Sequence, residues 1–320
     1  MKKIVVGLAM AAALMTGNAQ AGDYPDRPIM MMVSYGAGGA TDFQARIVTM
    51  TAGNKDALGM PIAIINKPGA GGRVGWNWLA KEAEKDGYTL GVYNIPHFVA
   101  QSIKGGVEYT KDSFEPLANW GADPAVFIVG KDSKFNSMKD VIAFAKANPG
   151  KLTISGAGLF VGHHIAALQI EKATGAKMSY IPTKGGGTAA MKDVIAGNVL
   201  AGINNLSDAY RARTAGNVKI LGIADIKRNE EFLPDVPTLQ EEGLDVDDSS
   251  VNFRGIMVPK GTPQAIIDKL ANTFLTMFKD KNVVKQMKAG GSPMQIMTRD
   301  EVLAMWEKRE MSLKDLLKGL

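Results

Sequence analysis

The chain has 320 residues, of which 46% are hydrophobic and 22% charged, with a formal net charge of +5. It has no cysteine, which excludes disulfides, thiolate metal sites and a cysteine nucleophile. The positive balance is mild and its lysines are interspersed with acids, so it does not make the basic face that nucleic-acid binding requires.

The first residues, Met1-Lys2-Lys3, form a short positive region. Residues 4–15 then run apolar except for Gly7, and Asn18-Ala19-Gln20-Ala21 supplies small residues for cleavage. That order is expected of a signal peptide over 1–21. The apolar run falls short of the roughly 20 residues that span a bilayer. A mature chain starting near Gly22 and working outside the cytoplasm is expected. Its charge falls from +5 to +3, because the leader carries two lysines and no acid. Roughly 300 remaining residues exceed one typical core, so two domains are expected.

Short apolar runs then alternate with longer helical periods. Strands are expected over 28–34, 62–66 and 88–93, with helices over 41–58 and 74–84 between them. The rhythm resumes with strands over 125–129, 151–155, 178–182, 199–204 and 218–224, and helices over 138–147, 164–174 and 188–196. A strand over 251–258 precedes two or three helices between 263 and 320. Strands followed by helices at this spacing predict mainly parallel sheets flanked by helices, an α/β fold. With no low-complexity linker, the chain is expected to cross between domains twice, near Gly121 and Asp248. The first domain then comprises 22–121 and 249–320, and the second 122–248. Such a pair leaves a cleft at the carboxyl ends of the strands, where open α/β sheets bind ligands.

Three glycine clusters fall after a strand and before a helix: Gly36-Ala37-Gly38-Gly39, Gly69-Ala70-Gly71-Gly72 and Gly185-Gly186-Gly187. The helix that follows aims unpaired N–H groups and a positive dipole end into the loop, an arrangement that binds carboxylate or phosphate. Thr41-x-x-Gln44 matches a capping box, with Thr41 as the N-cap and the amides of Asp42 and Phe43 left for an acceptor. Asp42 repels a carboxylate beside it, so it is expected to orient water or backbone, or to turn away. The second cluster lacks the strand-end acid of a dinucleotide site, and no nucleotide cofactor is expected.

Further along, Asn94 and His97 end a strand at the cleft edge. Residues 155–164 join a strand to a helix through Gly158, Leu159 and Phe160. His163 and His164 lie about 100° apart on the helical wheel, so one faces the cleft while the other caps or packs. With three histidines in all and no i, i+4 pair, no metal site is expected. Leu159 and Phe160 favour a ligand with an apolar body if they face the cleft, and say nothing of it if they pack inward. Asn204 and Asn205 end another strand, each read equally as turn caps or ligand contacts. Arg254 reads as a structural ion pair near the return crossing. No catalytic motif is present; a general base at His163 or His164 remains an alternative without a marked partner.

Several stretches together resemble the Bug-type receptors of tripartite tricarboxylate transporters. They are Tyr24-Pro25-Asp26-Arg27-Pro28-Ile29, Gly38-Gly39-Ala40-Thr41-Asp42, Asn66-Lys67-Pro68-Gly69-Ala70-Gly71-Gly72, Asp86-Gly87-Tyr88-Thr89-Leu90, Lys184-Gly185-Gly186, Leu233-Pro234-Asp235-Val236-Pro237-Thr238 and Pro259-Lys260-Gly261-Thr262-Pro263. They run in order along nearly the whole mature chain. The resemblance implies a type II periplasmic binding fold of two domains closing like a clam shell. It also implies a monomer without enzymatic activity or cofactor that captures a small organic carboxylate and delivers it to a two-component membrane permease. A sensor that presents its ligand to a signalling kinase is the alternative within the same fold. The candidate ligand residues, from the 38–42, 155–164 and 185–188 loops that the resemblance implies and from the strand ends read above, are Tyr35, Gly39, Ala40, Thr41 and Asp42, then Asn94 and His97. The second domain adds Gly158, Leu159, Phe160, His163, His164, Gly187, Thr188, Asn204 and Asn205. Phe160 and Val161 stand where many members have small hydroxyl residues, which favours an aromatic or longer carboxylate.

Overall fold

The structure, a computed structural model, describes residues 24–318. The expected signal peptide over 1–21 lies outside the described residues. The first part of the chain runs β1 (Ile29–Val33), α1 (Ala40–Val48), β2 (Ile62–Asn66), α2 (Arg73–Lys81), β3 (Thr89–Ile95), α3 (His97–Lys104) and β4 (Phe114–Asp123). The middle runs β5 (Ala125–Gly130), α4 (Met138–Ala147), β6 (Leu152–Gly156), α5 (Gly162–Thr174), β7 (Met178–Pro182), α6 (Gly186–Ile195), β8 (Ala201–Asn205), α7 (Leu206–Thr214) and β9 (Val218–Ala224). The chain ends with β10 (Asn252–Pro259), α8 (Gln264–Phe278), α9 (Lys281–Ala289), β11 (Met294–Met297) and α10 (Arg299–Leu316).

These strands form two sheets. A six-stranded sheet has the order β11-β4-β10-β3-β1-β2, and a five-stranded sheet the order β7-β6-β8-β5-β9. The first draws on both ends of the chain and the second on its middle. The parallel rhythm read from the sequence holds for β1 with β2 and β3, and for β6 with β7 and β8. Antiparallel pairs enter through the strands next to the crossings: β10 against β3 and β4, and β5 against β8 and β9. Both sheets are therefore mixed. β4 belongs to one sheet and β5 to the other, with Pro124 alone between them.

Apolar side chains bury both faces of each sheet. In the first lobe, one face packs α1, α8 and α9 through Ala45, Phe274 and Met287. The other packs α2, α3 and α10 through Trp76, Phe98 and Trp306. In the second lobe, α4 and α5 cover one face through Val141 and Ile170, while α6 and α7 cover the other through Val194 and Leu206. Every strand residue of β3 and β10 is buried, as expected of central strands covered on both sides.

The helix expected over 41–58 ends at Val48. Thr49, Thr51, Gly53 and Asn54 are weak helix formers, and the Thr49 hydroxyl bonds back to the Ala45 carbonyl at 2.8 Å. Sheet packing is tight where β10 crosses its neighbours. A methyl group on Gly255 would sit 2.2 Å from the Ala118 carbonyl oxygen and 2.4 Å from the Tyr93 hydroxyl. A backbone carbonyl cannot swing aside as a side chain can. Gly255→Ala is therefore expected to cost about 1–3 kcal/mol or more. Denaturant unfolding of the variant beside the wild type checks this, and an unchanged midpoint would remove the packing argument.

Candidate functional site

Six residues, 34–39, carry the chain from β1 into α1. Gly39 is the N-cap, with extended backbone and no side-chain cap. The N-cap thus falls two residues earlier than the Thr41 of the expected capping box. Phe43 already donates its amide to the Gly39 carbonyl at 2.9 Å, so the amides lacking an intrahelical acceptor are those of Ala40, Thr41 and Asp42. Thr41 and Gln44 do not cap each other, because both side chains turn inward. The Thr41 hydroxyl accepts from Asn94 Nδ2 at 3.1 Å and from Arg254 Nε at 3.2 Å. Gln44 Oε1 accepts from Trp120 Nε1 at 3.0 Å and Arg254 Nη1 at 3.2 Å.

What draws them inward is a buried ion pair. Arg254 Nη1 lies 2.5 Å from Asp123 Oδ2, with both side chains shut off from solvent. Gln44 Nε2 donates to the same oxygen at 3.2 Å. From the other lobe, Ser207 donates its amide to Asp123 Oδ1 at 3.0 Å, and its hydroxyl to Oδ2. The structural ion pair expected of Arg254 is thus present, and it reaches both lobes.

Asp42 turns away from the cleft. It accepts from the Gly38 amide at 2.9 Å, from Arg46 and from Asn66 Nδ2 at 2.9 Å. Burial pushes its pKa up, but these hydrogen bonds more than offset that and hold it below the usual carboxylate range. Asp42 therefore shapes the loop and adds no charge to the cleft.

Loops from both lobes line a cavity of about 20 Å³. The first lobe contributes Tyr35, Gly36, Gly39, Ala40, Thr41, His97 and Asn252 to its lining. The second contributes Ala157, His163, Gly185, Gly187, Thr188, Asn205 and Asp208. That volume holds about one water, and the two lobes touch around it. A polar chain crosses between them: Asn94 Nδ2 donates to Asn252 Oδ1 at 3.1 Å, and Asn252 Nδ2 to Asn205 Oδ1 at 3.3 Å.

Nine of the sequence-predicted residues meet in this lining: Tyr35, Gly39, Ala40, Thr41, His97, His163, Gly187, Thr188 and Asn205. Others support it from behind. Asn94 holds Thr41, and Asn204 donates to the Gly187 carbonyl at 2.9 Å. Gly158, Leu159, Phe160 and His164 are not brought to it. Leu159 is exposed, and Phe160 sits at a positive φ of 56° with its ring edge-on to His164. Phe160 also packs on the aromatic cluster of the first lobe. The 158–160 turn thus seals the lobes against each other, with the Gly158 Cα side nearly touching Gly71. It builds no apolar wall in the cavity, and the preference for an aromatic or longer ligand loses its basis. The second glycine cluster meets this turn too: Tyr35 Oη and Gln101 Nε2 both donate to the Gly71 carbonyl at 2.9 Å.

Sequence reasoning missed Asp208 and underused Asn252. The signal for Asp208 was an acid three residues beyond Asn205 at a strand end, but α7 was not recognised as a helix.

The adjacent histidines separate as helical geometry requires. His164 packs against the Phe160 and Tyr180 rings, and its Nδ1 accepts from the Phe160 amide at 3.1 Å. His163 faces the cavity. Its Nδ1 accepts from the Ala157 amide at 3.1 Å, which assigns the proton to Nε2, a buried donor without a partner among the described residues. Burial lowers its pKa to about 4, against a weaker upward pull from the Asn205 side chain. Burial likewise lowers His164 to about 4. His97 is held well below its ordinary value by burial and by the nearby His163 and Arg254, and its Nδ1 also lacks a partner.

The sequence model described as "Tripartite tricarboxylate transporter family receptor" matches residues 45–311. The chain belongs to that receptor family. BugT of Bordetella pertussis is 33% identical over 300 residues, spanning 93% of this chain and 90% of BugT. The solved periplasmic binding protein BugD superposes with a TM-score of 0.84 at 27% identity, over 92% of this chain and 98% of its own. MatC of Rhodopseudomonas palustris, solved with bound malate, superposes with a TM-score of 0.83 at 24% identity, over 92% and 100%. The receptor therefore has the two-lobed, clam-shell fold of periplasmic binding proteins, and its family is one of binding proteins. Among the described residues, no helix is long and apolar enough to cross a membrane.

Two outcomes follow for the receptor. Arg254→Met leaves Asp123 buried and unpaired, which typically costs about 3–5 kcal/mol. Its melting temperature should fall by roughly 10 °C, and a fall of under 2 °C would mean that the pair carries nothing. The histidines give a pH signature. Unfolded, each takes up a proton as pH drops through about 6.5; folded, only near 4. The unfolded state binds more protons in that window, so stability is complete above about pH 6.5 and declines toward pH 4. The enclosed His163 accounts for up to about 3 kcal/mol of that decline. A melting profile from pH 7 to 4 reads it, and His163→Gln should flatten the slope.

Proposed function

We propose that the chain is a periplasmic solute-binding receptor. It captures a small organic carboxylate between its lobes and presents it to the two-component permease of a tripartite transporter. The domains on this reading are 22–121 with 249–320, and 122–248, after a leader over 1–21 is removed. They turn on the strands that pass through Pro124 and on the return segment before β10.

The observation that carries the reading is convergence. The Thr41 and Asp42 amides at the start of α1, which have no intrahelical acceptor, and the Ala40 amide, held by Asp208 of the other lobe, meet across one cavity the Nε2–H of His163, which lies beside Asn205 and makes no hydrogen bond of good geometry among the described residues. Those donors come from different lobes, so one anion that accepts from both draws the lobes together. A helix N-terminus supplies positive potential without a mobile side chain, which keeps the ordering cost of binding low. The malate bound to MatC and the family itself support a carboxylate as that anion. On this reading the solute enters with the lobes apart and is captured as they close on it. His163 serves as a neutral donor whose other ring nitrogen is already engaged, which favours a binding role over a general base.

The mature protein should rise in melting temperature with a class of carboxylates and not with sugars. A ligand at 100 times its Kd adds about 2.7 kcal/mol, a shift of several degrees at about 2–4 °C per kcal/mol. Gly39→Val tests the closure. A methyl group there would lie 3.0 Å from the Thr188 hydroxyl, so a branched side chain wedges the lobes apart. Affinity for every carboxylate should fall at least about tenfold, or about 1.4 kcal/mol. Undiminished binding in Gly39→Val would place the ligand elsewhere.

A further inference from the structure

The cavity already contains a carboxylate, and it belongs to the protein. Asp208, in the first turn of α7, has a side chain only 10% exposed. Its Oδ2 accepts the Ala40 amide from the opposite lobe at 3.3 Å. Its Oδ1 is held by Arg211, one turn further on. Arg211 itself reaches across, donating to the Gly290 carbonyl at 2.9 Å and lying 4.6 Å over the Phe43 ring. Asp208 thus occupies one of the α1 amides that an incoming carboxylate would use, in a position fixed from behind.

The charges around it decide what can share that position. Among the described residues lining the cavity, Asp208 is the one carboxylate, and no lysine or arginine joins it. His97 and His163 are neutral near pH 7. Arg254 behind the lining is matched by Asp123, and Arg211 by Asp208 itself. Burial already pushes the Asp208 carboxyl above the usual carboxylate range, with Arg211 pulling it back, so a plain dicarboxylate brings two more negative charges to a site that disfavours one, and no lysine or arginine in the lining receives them. A carboxylate carrying a donor on the adjacent carbon behaves differently. Its carboxylate displaces Asp208 from the Ala40 amide, and its own donor replaces that amide on Oδ2, leaving both satisfied. Unpartnered, buried His163 Nε2 and His97 Nδ1 supply further contacts for such a ligand.

The geometry points to Asp208 as the residue that sets the ligand class: a carboxylate bearing an ammonium or hydroxyl on the neighbouring carbon is preferred over the same skeleton without it. This rests on the carboxylate reading above and narrows it.

The test is calorimetric titration with matched skeletons: succinate, malate and aspartate; glutarate, 2-hydroxyglutarate and glutamate; propionate, lactate and alanine. For the skeleton that fits, a substituted member should bind the wild type at least about tenfold tighter than the plain acid. Asp208→Asn removes the charge, and its carboxamide can donate to a carboxylate. In that variant the plain acid should gain affinity and the preference should shrink to under about threefold. Equal binding of plain and substituted acids to the wild type overturns the inference and leaves the carboxylate reading intact. A preference that persists in Asp208→Asn overturns the assignment to this residue. Should no member of any set bind, the carboxylate reading fails and the inference with it. The wild-type comparison decides the ligand class even if the variant does not fold.

Discussion

The ion pair between Arg254 and Asp123 is the constraint on which the site depends. Both groups sit on the strands nearest the crossings, β10 and β4, and neither reaches solvent. Taking two charges out of water is expensive, and their attraction repays it only when the remaining donors and acceptors are also satisfied. Here the surrounding structure does most of this, leaving Arg254 Nη2 as the one guanidinium nitrogen without a partner among the described residues. Arg254 takes Thr41 and Gln44 as acceptors, while Asp123 takes Gln44 and Ser207 as donors. Thr41 and Gln44 belong to the first turns of α1, and Ser207 to the first turn of α7. Satisfying one buried pair therefore fixes the start of a helix from each lobe, and these are the helices that bring Ala40 and Asp208 to the cavity.

On the proposed function, that arrangement lets a cavity without lysine or arginine receive an anion. The positive field comes from a fixed source, the amides at the start of α1, since the Arg254 guanidinium behind Thr41 is matched by Asp123. His97 and His163 remain neutral donors or acceptors because burial disfavours their charged forms. Fixed dipoles lose nothing in ordering when a ligand arrives, whereas a long cationic side chain would. Asp42, the acid that seemed to threaten an anion in this loop, is instead bound into it by Gly38, Arg46 and Asn66.

The legible and illegible parts of this chain divide on physical lines. The loops after β1 and before α6 were readable, because a glycine cluster between a strand and a helix has few uses. The separation of His163 from His164 followed from helical geometry alone. By contrast β4 was unreadable. Pro116, Asn119 and Gly121 break any alternation, and irregular register against β10 absorbs them. α7 was passed over because its polar sequence has little apolar period, and Asp208 went with it. The N-cap of α1 was misplaced by two residues, since the capping pattern of Thr41 and Gln44 is equally a pair of inward-facing polar side chains. Only the distant Arg254 and Asp123 decide between those uses. Phe160 was misjudged for the same reason: an apolar residue in a loop does not reveal which surface it meets.

The contacts between the lobes fall into two groups by distance from the crossing. Asp123 adjoins Pro124, so its bonds to Ser207 and Gln44 lie close to any axis through that crossing and change little when the lobes rotate. Ala40 with Asp208, Arg211 with Gly290 and Gln101 with the Leu159 carbonyl bridge the lobes further out, and opening must break them. The first group, on the proposed hinge, keeps α1 and α7 aimed at each other, while the second is exchanged for ligand contacts. On the proposed hinge, the receptor therefore separates preorganisation from switching: buried charge near the axis holds the geometry, and weaker bonds at the rim, the Asp208 carboxylate among them, yield to a solute that can replace them.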